Sequence, residues 1–211
     1  LDNRQLRAFK LPTTPHDPAE GVVAAVGQLG FPPADIADFV HGTTLGLNAI
    51  LERKGARVGI ITNDGFRDIF EIGRGAVDFA DMYRFDYDPP PRIVERRDIK
   101  GVAGRMDFEG SEVTPLDSEA VVDAAKALQA AGCTALAVSF LHSYANTAHE
   151  REAVELIRTA CPGIEVSAGA LIANEYREYE RTSTAVLDAY IKPVLRNYLG
   201  RVSGGMAAKG F

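Results

Sequence analysis

Between two apolar runs the chain reads HGTTLGLNAILERKG, and the opening residues are of kinds that handle protons and anions. His41 can take or give a proton near neutrality, Thr43 and Thr44 offer hydroxyls, and Gly42 allows close approach to the backbone. Asn48 falls one turn later, on the same side as Thr44. At the start of a helix, where N–H groups lack partners, this set can hold a phosphate or a substrate; the same hydroxyls also serve as helix caps. A second dense patch, ANEYREYERTSTAVLDAY, gathers Glu175, Glu178, Glu180, Arg177 and Arg181, with Tyr179 and Ser183 on an otherwise apolar helical face. Its carboxylates can position an ammonium, an amide or a Mg²⁺-bound water, and acids are equally at home in a first helical turn. Arg74 stands between two glycines in EIGRG, a setting that suits a carboxylate or phosphate. His142 closes an apolar run in FLHSY.

These residues need elements to position them. Asp17 followed by Pro18 predicts a helix start, with Val22, Val23, Val26 and Leu29 on one face and Gly30 closing it. Strands are expected over residues 4–11, 36–40 and 57–62, with a helix from Leu45 to Gly55 between the last two. Residues 63–115 carry a proline run and glycine-separated extended stretches, which predict an irregular excursion with a β-hairpin. Alternation then resumes. A helix capped by Asp117 or Ser118 runs to Ala131, a buried strand lies in CTALAVSFLHSY, and a helix covers 146–160. A strand follows at 163–167, then a long helix over 175–199 that Pro193 should bend or break. Such alternation implies an α/β fold with right-handed crossovers onto a mixed or parallel sheet. Ligands of such sheets gather at the carboxyl ends of strands, where His41–Thr44 and His142 are expected.

Composition narrows the classes. In 211 residues, 46% hydrophobic and 25% charged, the net charge of −6 argues against a nucleic-acid binder. Cys133 and Cys161 sit among apolar residues and are expected as buried free thiols, and no zinc spacing occurs. No apolar run approaches a bilayer span, so a cytoplasmic location is expected. GxxxxGK[ST], GxGxxG and GxSxG are absent from the sequence. The start at Leu1 and the GGMAAKG tail read as a piece of a longer protein.

Three stretches in order, FVHGTTLGLNAILERKGARVGIITNDGFRDIFEIGRG, FLHSYANTAHE and EYREYERTSTAVLDAYIKPVLRNYL, resemble the N-terminal region of hydantoinase A/5-oxoprolinase proteins. That group includes N-methylhydantoinases and subunits of acetone and acetophenone carboxylases. The resemblance implies a ribonuclease-H-like mixed sheet flanked by helices, of the actin and hexokinase type. It would form one N-terminal domain over 1–211, with 63–115 as an irregular insertion. It also implies ATP with Mg²⁺, used to phosphorylate an amide oxygen before a cyclic amide is opened. Implied partners are the amide, the rest of the polypeptide and a hydantoinase B-type subunit or domain, with neither nucleic acid nor membrane. The family's opening glycine–threonine phosphate turn has no counterpart in this sequence, so the chain alone is not expected to turn over ATP. Carried onto matching positions, His41, Thr43, Thr44, Asn48, Glu175 and Arg181 are the catalytic candidates. Gly42, Arg74, His142 and Tyr179 are the candidates for substrate or phosphate, and no metal ligand is assigned. The alternatives are a non-catalytic assembly module and the carboxylase branch.

Overall fold

Val58–Asn63 is apolar and β-branched, and every residue of it is buried; it forms β1, an inner strand of the sheet. In the computed structural model, which describes residues 8–32, 35–75, 77–87 and 91–211, three more strands lie parallel to it. They are β2 (Ile99–Val102), β5 (Ala135–Val138) and β6 (Glu165–Ala168), in the order β2-β1-β5-β6. A separate antiparallel pair, β3 (Arg105–Met106) and β4 (Glu112–Thr114), supplies the expected hairpin. Its turn is held by Asp107, whose Oδ1 accepts from the N–H groups of Glu109 and Ser111 at 2.9 and 2.8 Å. Sheet strand β2 therefore lies inside the segment expected as an irregular insertion.

The chain divides into two compact units, Leu47–Pro193 and Leu1–Gly46 with Val194–Phe211. In the larger unit both sheet faces are covered. Ile61, Leu136, Val138 and Val166 pack with α4 (Ser118–Ala130) and α5 (Ala148–Ala160), through Val121, Leu128, Val154 and Ile157. On the opposite face Val58, Ile60, Ala135 and Ala137 meet Ala185, Val186, Ala189 and Tyr190 of α7 (Glu178–Ala207). Gly59 permits the first contact, since a Cβ there would stand 3.0 Å from both Leu128 and Leu136. The short helices α3 (Ile69–Ile72) and α6 (Gly169–Ile172) follow β1 and β6. In the smaller unit Ala19 and Val26 of α1 (Pro18–Gly27) pack on Tyr198, Val202 and Met206. As expected, Asp17 caps α1, its Oδ1 accepting from the Ala19 N–H at 3.1 Å, and Asp117 caps α4, accepting from Ala120 at 2.9 Å.

Three expectations are corrected. Residues 36–40 form no strand: Ile36, Phe39 and Val40 lack the period of two that one buried face requires, and Val40 is 93% exposed. Of the strand expected over 4–11, residues 4–7 lie outside the described residues and Ala8 to Leu11 are not in a strand. Helix α7 continues through Pro193 instead of ending near residue 199, because apolar residues pack on either side of the proline, Tyr190 before it and Tyr198, Val202 and Met206 after it. Among the described residues, no helix is long and apolar enough to cross a membrane. Both cysteines are buried free thiols whose pKa burial pushes up.

Candidate functional site

The strand order makes the carboxyl ends of β1 and β5 the place where connections diverge to opposite sides, the usual crevice of an open sheet. In this chain those ends are filled with buried polar side chains bonded mostly to backbone groups. Asn63, last in β1, donates to the Gly104 carbonyl at 2.6 Å and accepts from the Leu141 N–H at 2.7 Å. Glu150 of α5 is fully buried. Its two oxygens accept from the N–H groups of Phe140 at 2.9 Å and Ala170 at 2.8 Å, tying together the loops after β5 and β6. Burial pushes the Glu150 carboxyl above its ordinary 4.5, against the opposing pull of these N–H groups, Ser143 and Arg181. Arg181, 1% exposed, donates to the carbonyls of Phe140 at 2.7 Å and Glu175 at 2.9 Å, while its Nε meets no acceptor. Ser139 and Thr182 share a buried hydroxyl contact of 2.8 Å.

His142 follows immediately in this pinned loop. Its φ of 56° is uncommon for a residue with a side chain, and its Nδ1 is shielded without a partner. Its ring stands edge-on to Tyr144, which in turn meets Tyr176 edge-on at 5.4 Å. The candidate acid Glu175 has an exposed side chain and joins the network only through its backbone carbonyl.

The open hollow of the larger unit lies around Arg74. After α3 the chain turns through Gly73 and Gly75, both in the left-handed region (φ 57° and 60°), and Arg74 projects between them. Gly73 lies against the Tyr179 ring, where a Cβ would meet ring carbons at 3.4 Å. A cleft of about 680 Å³ opens here, walled by Phe70, Ile93, Tyr87 and Tyr179 and edged by Glu71, Arg74 and Arg92. A neighbouring hollow of about 440 Å³ shares Gly73, Arg74 and Tyr179 and adds Arg177, Glu178 and Glu180. The charges are paired: Arg74 on Glu180 and Arg92 on Glu71. Burial works to raise the Glu180 pKa, but the hydrogen bond and charge of Arg74 outweigh it and hold the carboxyl below its ordinary value. Outside the lining of both hollows, a hydrogen bond from Arg96 lowers Asp68 in the same way.

Of the expected residues, then, Arg74 and Tyr179 line one cleft, while His142 and Arg181 belong to the β5-end network. In the smaller unit His41 is exposed, with Nε2 2.5 Å from the Tyr198 hydroxyl and its ring stacked on Phe39. Thr43 is also exposed, and its hydroxyl accepts from the Leu45 N–H at 3.2 Å, a local bond at the start of α2 (Leu45–Leu51). Gly42, Thr44 and Asn48 are exposed. Sequence reasoning missed Asn63 and Glu150. For Glu150 a signal existed: it shares an apolar stripe with Ala153, Val154 and Ile157, and an acid on such a stripe must find buried donors.

The sequence model of the hydantoinase/oxoprolinase N-terminal region matches residues 1–161. The caprolactamase subunit alpha of Pseudomonas jessenii is 36% identical over 205 residues, which cover 93% of this chain and 30% of that protein. The acetophenone carboxylase gamma subunit of Aromatoleum aromaticum is 36% identical over 224 residues, covering 96% and 30%. The crystal structure of ATP-dependent caprolactamase from Pseudomonas jessenii superposes with a TM-score of 0.83 at 34% identity, covering 98% of this chain and 31% of that one. The chain thus spans less than a third of the length of these relatives.

Proposed function

Because the chain belongs to the hydantoinase/oxoprolinase family, we propose that it is part of an ATP-dependent enzyme that opens a cyclic amide, and that the Arg74–Tyr179 cleft receives the amide ring. The carrying observation is the character of that cleft. Its aromatic and aliphatic walls suit the methylenes of a small ring, and its cations are already neutralised by neighbouring carboxylates. An uncharged ligand with one strong acceptor fits such a lining. Arg74 would donate to the amide oxygen with the N–H groups that Glu180 leaves free, and the Tyr179 ring would pack against the ring face.

ATP with Mg²⁺ is implied for the family, and the cleft does not fit it. A magnesium-bound triphosphate needs unpaired cations and converging oxygen ligands. Here the arginines are paired, and among the described residues no three His, Cys, Asp or Glu side chains group as a metal site. No step through the nucleotide is therefore derived from these residues. For His41, Gly42, Thr43, Thr44, Asn48, His142, Glu175 and Arg181, the family resemblance supports a place in the wider active site of the full-length enzyme.

The test uses a polypeptide that carries this chain at the full length of its relatives. Phosphate release from ATP is expected to depend on an uncharged lactam or a hydantoin, and Arg74→Ala is expected to lower kcat/KM at least about tenfold. The equal identity to a carboxylase subunit favours a second reading, in which a ketone occupies the cleft. Phosphate release that depends on acetone or acetophenone with bicarbonate, and on no amide, selects that reading. Silence with every amide and ketone overturns the enzyme reading and leaves an assembly module.

A further inference from the structure

We propose that Glu180 makes the Arg74 cleft selective for an uncharged ring over an open-chain carboxylate; this rests on reading the cleft as the amide site. The two side chains are paired one-sidedly. Nε and Nη2 of Arg74 both turn to Oε1 of Glu180, with Nε at 2.6 Å, while Oε2 is shielded from solvent and meets no donor. A guanidinium engaged on a single oxygen keeps other N–H groups for a second acceptor. A neutral carbonyl oxygen can take these without adding charge. A carboxylate at the same place would bring a second negative charge up to Glu180, and the second arginine of the cleft, Arg92, is itself occupied by Glu71. Adding water across a ring amide yields a carboxylate and an amine, so the same residue that tolerates the ring would disfavour what the ring becomes.

The choice of Arg74 as hub is supported by its backbone. Gly73 and Gly75 hold left-handed φ values on either side, and the Tyr179 ring packs on Gly73, so the guanidinium leaves the turn in a direction fixed at its base. Glu180 sits on α7 within one turn of Tyr179, the residue that forms the cleft wall. Charge control and ring contact thus come from adjacent positions of one helix.

The experiment is calorimetric titration of the same full-length polypeptide with two six-carbon probes, ε-caprolactam and hexanoate. The wild type is expected to bind the lactam and to bind hexanoate more weakly. Glu180→Gln should tighten hexanoate roughly twofold to fivefold, the range expected for removing a partly exposed like charge. The gain should shrink in high salt. It should vanish when Arg74→Ala is added, and Glu180→Asp, which keeps the charge, should keep hexanoate weak. Unchanged hexanoate affinity in Glu180→Gln, or hexanoate binding the wild type as tightly as the lactam, overturns the role of Glu180. A wild type that ignores the lactam overturns the cleft reading instead. The two failures are therefore read from different titrations.

Discussion

The larger unit contains two polar neighbourhoods that share helix α7 and behave oppositely. At the ends of β1, β5 and β6, the carboxylate of Glu150 and the guanidinium of Arg181 are sealed from water and spent on backbone groups. Around Arg74 the pairs are half-exposed and made between side chains, and the guanidinium keeps N–H groups that Glu180 does not use. A buried charge bonded to backbone fixes the path of a loop, because removing it strands several polar groups at once. An exposed ion pair contributes little to holding the fold. The β5 end is thus a rigid base, and the neighbouring cleft is where binding can occur without dismantling the fold.

Breaking the contrast should be easiest at Arg181. Arg181→Ala removes donors to the Phe140 and Glu175 carbonyls and opens a cavity, so denaturant unfolding should show a loss of about 3–5 kcal/mol. Glu150→Gln comes next. One of the two buried N–H groups would face an amide nitrogen, and a loss of about 1–3 kcal/mol is expected. This variant also has a pH signature. The folded-state pKa of Glu150 is raised, so folded and unfolded chains are both protonated there well below pH 4.5, and the wild type loses stability as pH rises above that value until the folded group ionises. In Glu150→Gln that fall should disappear from a series of urea titrations. Glu180 and Asp68 act in the opposite sense, being lowered. Their contribution is present above their ordinary values and fades as pH falls through the folded ones. Smallest of all should be the effect of Arg74→Ala on the unfolding midpoint, which should hardly move while lactam binding weakens at least about tenfold. A large drop in midpoint for that variant would erase the distinction between base and cleft.

Local rules made much of the fold readable. Asp17 before Pro18 and Asp117 before Ser118 announce helix starts because their carboxylates satisfy nearby N–H groups, and α4 and α5 advertise their buried faces by spacing. Strand β2 was hidden because Ile99–Val102 contains a lysine and a glycine; it is a strand by virtue of β1 beside it, a partner no local pattern reveals. The candidate functional site divides similarly. Arg74 was legible from its two glycines, and Tyr179 from its place on a helical stripe. Asn63 was not, since its meaning lies in Gly104 and Leu141, both remote in the chain. The expected cluster of His41, Thr43, Thr44 and Asn48 was built on a strand at 36–40, and without that strand its residues lie exposed, with Thr43 bonding its own helix start.

The parallel arrangement of all four main strands also has a kinetic consequence. No two neighbours in that sheet are joined by a tight turn, and Val58 cannot find its partner Ala135 until α4 has been made and passed. Loop-closure entropy must be overcome before any pairing within the four-stranded sheet is rewarded, so its refolding from denaturant should be slow. During synthesis β1 would wait, apolar and unpaired, for chain not yet emerged. That interval, rather than the finished structure, is where this sequence is most exposed to aggregation.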